Sequence, residues 1–384
     1  MKNNSIKIIR TTTVPQSFNL LKGQLKFLNG YYNVIAVSGK GESLENTKNR
    51  EGVKAISVDM ERRISPIKDF ISLVKLCFLF KREKPTIIHS ITPKAGLLSM
   101  LAGKIVGVPI RMHTFTGLIF PTKVGLMQKL LVKTDKILCW ASTNVYPEGL
   151  GVKEDLINYN ITDKPLKVIA NGNVNGIDID FFNPDHISLC STKKIKDSLN
   201  INLKDFVFIF VGRLVSDKGI NELVSSFKEL IDTGNTNIKL LLVGEEERDL
   251  DPLEEQTIIE IENNPNIIAV GYQKDVRPYF AISNVLAFPS YREGFPNVVI
   301  QAGAMGVPSI VSNINGCNEI IVEGENGIIV PVKNTKKFKL AMKELVDNSI
   351  LYKELKNNCR NMIINRYEQK FVWNELLEEY KRLL

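Results

Sequence analysis

Short apolar runs alternate with longer amphipathic runs from one end of this 384-residue chain to the other, and the rhythm breaks only once. IKIIR (6–10), VIAVS (34–38), AISV (55–58), TIIHS (86–90), PIRMHTF (109–115), KILCW (136–140) and LKVIA (166–170) read as strands. Helical patterns fall near 17–28, 66–83 and 93–106. NGNVNGIDIDFFNPD (171–185), rich in Asn, Gly and Asp, ends the series. It restarts with DFVFIFVG (205–212), IKLLLVG (238–244), NIIAVG (266–271), NVLAFPS (284–290) and PSIVS (308–312), with helices near 218–231 and 252–262 and a charged helical tail after about 334. Strands and helices in this order build parallel sheets with crossover helices. The expectation is an α/β chain of two doubly wound, Rossmann-like domains in series, one spanning 1–165 and the other 166–365.

The length supports this, because one core rarely serves so many residues. MKNNSIKIIR leads straight into a strand pattern, so no signal peptide is expected. The five cysteines are scattered and mostly sit in apolar runs, which predicts reduced thiols in a cytoplasmic protein. With three histidines, none near a cysteine pair, no metal site is expected. The net charge of +8 favours anionic partners. The basic residues are not interleaved with aromatics, which argues against nucleic acid. ERRISPIKDFISLVKLCFLFKREK (61–84) is both basic and apolar. It fits either an ordinary core helix with a solvated face or a segment lying on an anionic membrane.

In open α/β sheets ligands bind beyond the carboxyl ends of the strands, and two such domains facing each other form a cleft between them. Four loops after strands therefore become candidates. In VGRLVSDKGINELVSSF (211–227) a strand ends at Gly212, Arg213 and Lys218 lie in the loop, and a helix follows. A guanidinium and an ammonium beside a helix N-terminus suit a diphosphate. In REGFPNVVIQAGAMGVPSIVS (292–312) Glu293 precedes a short helix and Gln301 lies on it. Glu293 either caps that helix or accepts bonds from sugar hydroxyls. Gln301 either packs or reaches ribose hydroxyls. In RMHTFTG (111–117) His113 ends a strand, with Thr114 and Thr116 in the loop. Ser17, in the loop after the first strand, caps a helix or binds an acceptor, and Lys94 in SITPKAG (90–96) occupies a similar loop. Two Asp-x-Asp triplets, 178–180 and 249–251, lie outside any buried strand end and read as solvated. GKG (39–41) falls short of a dinucleotide fingerprint.

Together VGRLVSDKGI, REGFPNVVIQAGAMGVPSIVS and the connector NGNVNGID resemble family 4 of the retaining glycosyltransferases, over nearly the whole chain. SITPKAG, HTFTG and MERRISPIKD resemble its CapM-like capsule and O-antigen branch. The resemblance implies the GT-B fold, with the last helix (366–384) packing back on the first domain and closure about residues 165–185 and 366. It implies a nucleotide-sugar donor, UDP-linked by expectation, held by the second domain. The acceptor is a lipid-linked saccharide (a polyprenyl diphosphate) used at the inner face of the cytoplasmic membrane.

By the same resemblance Arg213 and Lys218 bind the donor diphosphate in place of a metal. Glu293 contacts the transferred sugar, and His113 lines the reaction centre. Gly212, Gly294, Phe295, Pro296 and Asn297 approach the phosphates and sugar, while Gly244, Glu245 and Tyr272 surround the base. Gln301 replaces the family's second motif glutamate at the ribose. Gln keeps an acceptor oxygen there but carries no charge. Ser17, Lys94, Thr114 and Thr116 are the acceptor-side candidates, and no cofactor or metal is expected. A same-fold nucleotide-sugar epimerase and an inactive nucleotide-sugar-binding module are the alternatives. A dinucleotide-dependent oxidoreductase is disfavoured by the missing glycine fingerprint.

Overall fold

The computed structural model describes residues 2–3, 5–234, 236–247 and 251–384. The chain divides into two compact units, Met1–Gly176 with Gln369–Leu384, and Ile177–Glu368. In the first, β1 (Lys7–Thr11), β2 (Asn33–Ser38), β3 (Lys54–Ser57), β4 (Ile87–Ser90), β5 (Ile110–Phe115) and β6 (Asn144–Pro147) form a sheet in the order β3-β2-β1-β4-β5-β6. In the second, β7 (Phe206–Val211), β8 (Ile238–Val243), β9 (Ile267–Ala269), β10 (Val285–Phe288), β11 (Ser309–Ser312) and β12 (Gly327–Val330) take the equivalent order, β9-β8-β7-β10-β11-β12. Every pairing is parallel. Parallel strands need helical crossovers, and these cover both faces of the sheet. The central strands are accordingly buried on both faces, which is why they read as unbroken apolar runs.

In the first unit the two faces of the sheet carry separate cores. Ile9, Ile35 and Ile88 pack beneath the helices Pro66–Glu83, Pro93–Ile105 and Gly125–Ala141. Ile8, Val34 and Ile87 pack on the other face with Leu376, Leu377 and Tyr380 of the last helix, Gln369–Leu383. That helix is tied in by polar contacts as well. Tyr380 Oη lies 3.1 Å from Arg10 Nη1 and 2.7 Å from His89 Nδ1. Glu379 accepts from Tyr146 Oη and Lys167 Nζ, 2.7 Å each. Burial alone would raise the Glu379 carboxyl, but together with Arg382 these donors hold it down at about 2.

Three expectations shift. KILCW continues the helix Gly125–Ala141, because Leu138, Cys139 and Ala141 are simply its buried face arriving late; the strand is Asn144–Pro147. LKVIA forms no strand, only two isolated bridges, Val145 to Leu166 and Ala170 to Gly172. The division between units falls after Gly176 rather than at 165. Residues 173–175 belong to the first unit's hydrogen bonds, Asn173 N to Glu148 O at 3.0 Å, Gln24 Nε2 to Val174 O at 2.7 Å, and Trp373 Nε1 to Asn175 Oδ1 at 2.8 Å. At the crossing, Ile177 N–H donates to Tyr367 O at 2.8 Å.

The order of each sheet reverses once, between β1 and β4 and between β7 and β10. Successive crossovers leave on opposite faces there, so the loops part and a recess opens at the strand ends. In the second unit Gly219 (φ 72°) fixes that geometry, because a Cβ on it would lie 2.2 Å from Pro289 O, at the exit of β10. Gly219→Ala is expected to destabilise the fold by roughly 2–4 kcal/mol, through combined backbone strain and collision. Urea unfolding followed by circular dichroism measures it, and an unchanged midpoint would mean that the two loops yield.

Candidate active site

In the second unit β7 and β10 lie side by side, so the loops after them meet. Lys218 closes the 3-10 turn Ser216–Lys218 after β7. Its Nζ donates to Glu293 Oε1, and Ser290 Oγ donates to the same oxygen at 2.9 Å. Two side chains 75 residues apart in sequence thus form one ion pair. Both are mostly enclosed, at 18% and 15% exposure. Glu293 therefore does not cap the following helix, Asn297–Ala304, whose N-cap is Pro296 with no side-chain bond. Below the pair, burial and the Glu293 charge push the Cys317 thiol well up.

Arg213 is placed differently. Its Nη1 donates to Glu247 Oε2 at 2.6 Å, and the side chain is 53% exposed. The two cations expected at a diphosphate are thus each held by a separate carboxylate. The loop between Glu293 and Asn297 rests on Gly316, where a Cβ would lie 2.5 Å from Gly294 O and 2.7 Å from Phe295 Cα. The Phe295 ring is buried edge-on against Tyr367, centroids 5.6 Å apart, so this residue offers a ligand its backbone only. Gln301 sits one turn into the helix, half-buried.

Beyond β8 and β9 lies a cavity of about 390 Å³ bordered by Leu214, Gly244, Glu245, Leu253, Ile258 and Gly271. Its walls are apolar at the base and acidic at the rim. Tyr272 stands next to it, largely exposed, and is not part of the lining. Gly212 is hydrogen-bonded to β8 through Val243 O at 2.9 Å. Of the two Asp-x-Asp triplets, Asp178 accepts from the N–H groups of Asp180 and Phe181 in a turn. Asp251 accepts from Asp217 N–H at 2.7 Å, while Asp249 lies outside the described residues. Among the described residues no three His, Cys, Asp or Glu side chains gather as a metal-binding group.

The first unit corrects the reading of its histidine. β5 runs two residues past His113, to Phe115, so His113 is 1% exposed beneath the strand's end. Its Nδ1 is hydrogen-bonded to Ser90 Oγ at 2.8 Å and its ring stands edge-on to Phe115. The helix Pro93–Ile105 covers it, with Gly96 directly against the imidazole. Burial lowers its pKa to about 3, so the ring stays neutral. It is a packed residue rather than one that opens on a ligand. Thr114 points to the opposite face and bonds His89 Nε2 at 2.8 Å, and Thr116 donates to Ile91 O. Thr114 lines a small cavity with Arg10, His89 and Tyr146, and neither threonine lines the larger pocket at the ends of β1, β4 and β5. Ser17 lies inside the 3-10 helix Pro15–Leu21 and caps nothing, because Val14 precedes that helix.

Ser17 and Lys94 do come together. Both line a pocket of about 490 Å³ where β1, β4 and β5 end. Lys94 Nζ lies 2.8 Å from both Asp69 carboxylate oxygens. Asp135 lines the same pocket and was not a candidate from sequence. Burial pushes its carboxyl up to about 7. Nearby, the helix Pro66–Glu83 packs one face into the core and leaves the other exposed. Leu76, Leu79 and Phe80 are buried, while Ile67, Phe70 and Phe78 are exposed by 79%, 65% and 71% among Lys68, Lys75, Lys81 and Arg82. No described helix is long and apolar enough to cross a membrane.

Residues 191–362 match the family model of glycosyl transferases group 1, and residues 16–146 match that of glycosyl transferase 4-like proteins. The capsular polysaccharide biosynthesis glycosyltransferase CapM of Staphylococcus aureus is 34% identical over 100% of this chain and 98% of its own. The UDP-Gal:α-D-GlcNAc-diphosphoundecaprenol α-1,3-galactosyltransferase of Escherichia coli is 28% identical over 80% of this chain and 78% of its own. Among solved structures, that of Anabaena HepE in complex with UDP superposes with a TM-score of 0.81 over all of both chains, at 15% identity, a likeness of fold.

The raised pKa of Asp135 carries a stability prediction. An unfolded aspartate titrates near 3.9. Between about pH 4 and pH 7 the folded chain holds a proton that the unfolded chain has lost, so this group's contribution to stability falls as pH rises through that window. Asp135→Asn removes the slope. Its melting temperature relative to wild type should climb from pH 4 to pH 7 and then level off; a flat difference would mean that the carboxyl is solvated.

Proposed function

The chain belongs to family 4 of the glycosyltransferases, in the CapM-like branch of capsule and O-antigen enzymes, and from that membership we propose that it moves a hexose-type sugar from a UDP-linked donor to a lipid-linked saccharide, with retention at the anomeric carbon and without a metal. The observation that carries this reading is the Lys218–Glu293 pair at the reversal point of the second sheet, beside the cavity at Gly244 and Gly271. The base and ribose occupy that cavity. The diphosphate lies over the β7 loop and replaces carboxylates as partner of Lys218 and Arg213. Gln301 contributes its amide to the ribose, and backbone N–H groups from Gly294 to Asn297 reach the phosphates.

The reaction breaks the bond between the anomeric carbon and the diphosphate oxygen, and the electron pair leaves with the diphosphate. Lys218 and Arg213 stabilise that charge as it develops, which is where fixed cations act most strongly. Glu293, released from Lys218, accepts hydrogen bonds from the sugar hydroxyls. The acceptor hydroxyl forms the new bond on the face the diphosphate leaves, and its proton passes to the departing diphosphate oxygen. His113 takes no part, since its imidazole is enclosed. The relatives' lipid-linked substrates and the exposed apolar and basic side of Pro66–Glu83 support a peripheral position on an anionic membrane.

UDP, offered beside GDP and ADP in a thermal-shift assay with EDTA present, should alone stabilise the chain. Arg213→Ala should lose most of that stabilisation. Lys218→Ala should lower kcat by about 10²–10³ while the fold survives, as removal of one charge-stabilising group does elsewhere. Turnover of a UDP-sugar with no acceptor would favour the epimerase, and UDP binding without transfer would favour the binding module. No stabilisation by any nucleotide would overturn the donor reading.

A further inference from the structure

The first-unit pocket opens at the other reversal point, between β1 and β4, and is walled by Leu97, Phe115, Leu118, Ile119, Leu130 and Leu131. Its volume, about 490 Å³, lies in the range of pockets that enclose small molecules. Most polar groups on its wall are already satisfied by the protein. Thr13 Oγ1 and Thr92 Oγ1 lie 2.8 Å apart, and Thr13 Oγ1 also accepts from Ala95 N–H. Thr134 Oγ1 donates to Leu131 O at 2.7 Å, and Lys94 is held by Asp69. What remains to meet a ligand is apolar surface. A sugar in this pocket would lose its hydroxyls' bonds to water and find few replacements. An alkyl chain would lose nothing.

The mouth is apolar too. Ile64, Ile119 and Leu130 line the pocket yet are 62%, 41% and 44% exposed. On the helices Pro66–Glu83 and Gly125–Ala141, Ile67 and Phe70 on one side and Leu126 and Met127 on the other continue the apolar surface outward. Arg62 stands on the lining without an ion pair among the described residues, beside the Lys94–Asp69 pair. Positive charge at the mouth complements an anionic head. Asp135, neutral over much of the pH range below 7, does not oppose an apolar occupant.

We propose that this pocket takes the apolar chain of the acceptor, with the phosphate head at Arg62; the inference rests on the lipid-linked acceptor class proposed above. Isoprenoid and acyl phosphates share this chemistry. The chain is thereby drawn off the apolar surface around Ile64 and Leu130, and its head is held at a fixed place relative to the ends of β1 and β4.

Titration calorimetry of the full chain with farnesyl diphosphate, dodecyl phosphate and inorganic diphosphate, below micelle-forming concentrations, tests it. Farnesyl diphosphate should bind at least tenfold more tightly than inorganic diphosphate. Leu130→Glu, at a half-exposed position that tolerates charge, should weaken it tenfold or more and leave stabilisation by UDP unchanged. Weak dodecyl phosphate binding would assign the pocket to isoprenoids, and equal binding would assign it to single chains of either kind. Equal affinity for farnesyl diphosphate and inorganic diphosphate, or a Leu130→Glu variant that binds like wild type, would overturn the proposal. Chain binding without stabilisation by UDP would leave the pocket standing and remove the donor reading instead.

Discussion

Both candidate sites descend from one constraint, that parallel strands are joined by crossovers of a single hand. A sheet wound outward from its centre in both directions must then have two central neighbours whose connections leave on opposite faces. These are β1 and β4 in one unit and β7 and β10 in the other. Nothing in either gap needs to be special for a recess to form. What differs is the chemistry that the flanking loops bring. The second unit brings Lys218 and Glu293, and the first brings a wall of leucines with Asp135 and the Lys94–Asp69 pair.

The Lys218–Glu293 pair also shows how such a site stays foldable. A mostly enclosed charge without a partner is costly, and removing one member of such a pair leaves the other uncompensated. Here each cation of the donor loop has an anion at hand, Glu293 for Lys218 and Glu247 for Arg213. In the proposed reaction the diphosphate exchanges one anionic partner for another rather than filling an empty positive site. That exchange keeps the net cost of assembling the site low while leaving the cations free to respond to charge that develops late.

Much of this was legible in the sequence, and the failures have physical causes. The fully buried strands announced themselves because both faces of a parallel sheet are apolar. KILCW deceived because a helix that ends against a core can gather its buried residues into a contiguous run. His113 was placed one step from the truth. PIRMHTF already carried β5 to Phe115, but the cover that the helix Pro93–Ile105 lays over the imidazole, with Gly96 against it, is a contact between elements that no local signal carries. Lys218 and Glu293 were each visible as residues past strand ends. Their meeting depends on β7 lying against β10, a long-range pairing. Asp135 was invisible, because its burial is produced by the helix Pro93–Ile105 and the strand ends around it rather than by its own neighbours in sequence.

The last helix has a bearing on how the molecule comes into being. Leu376, Leu377 and Tyr380 complete one face of the first sheet, and Tyr380 supplies a hydrogen-bond partner to the fully buried Arg10. These residues leave the ribosome only after the whole second unit has been synthesised. The unit that begins at the amino terminus is therefore the one that finishes last. Until then Ile8, Val34 and Ile87 face a layer that is still missing part of its cover, and Arg10 lacks its phenol. The second unit, whose chain is continuous from Ile177 to Glu368, waits for nothing made later. Synthesis thus reverses the order of the gene: the second unit can be whole while the first is still exposed and incomplete.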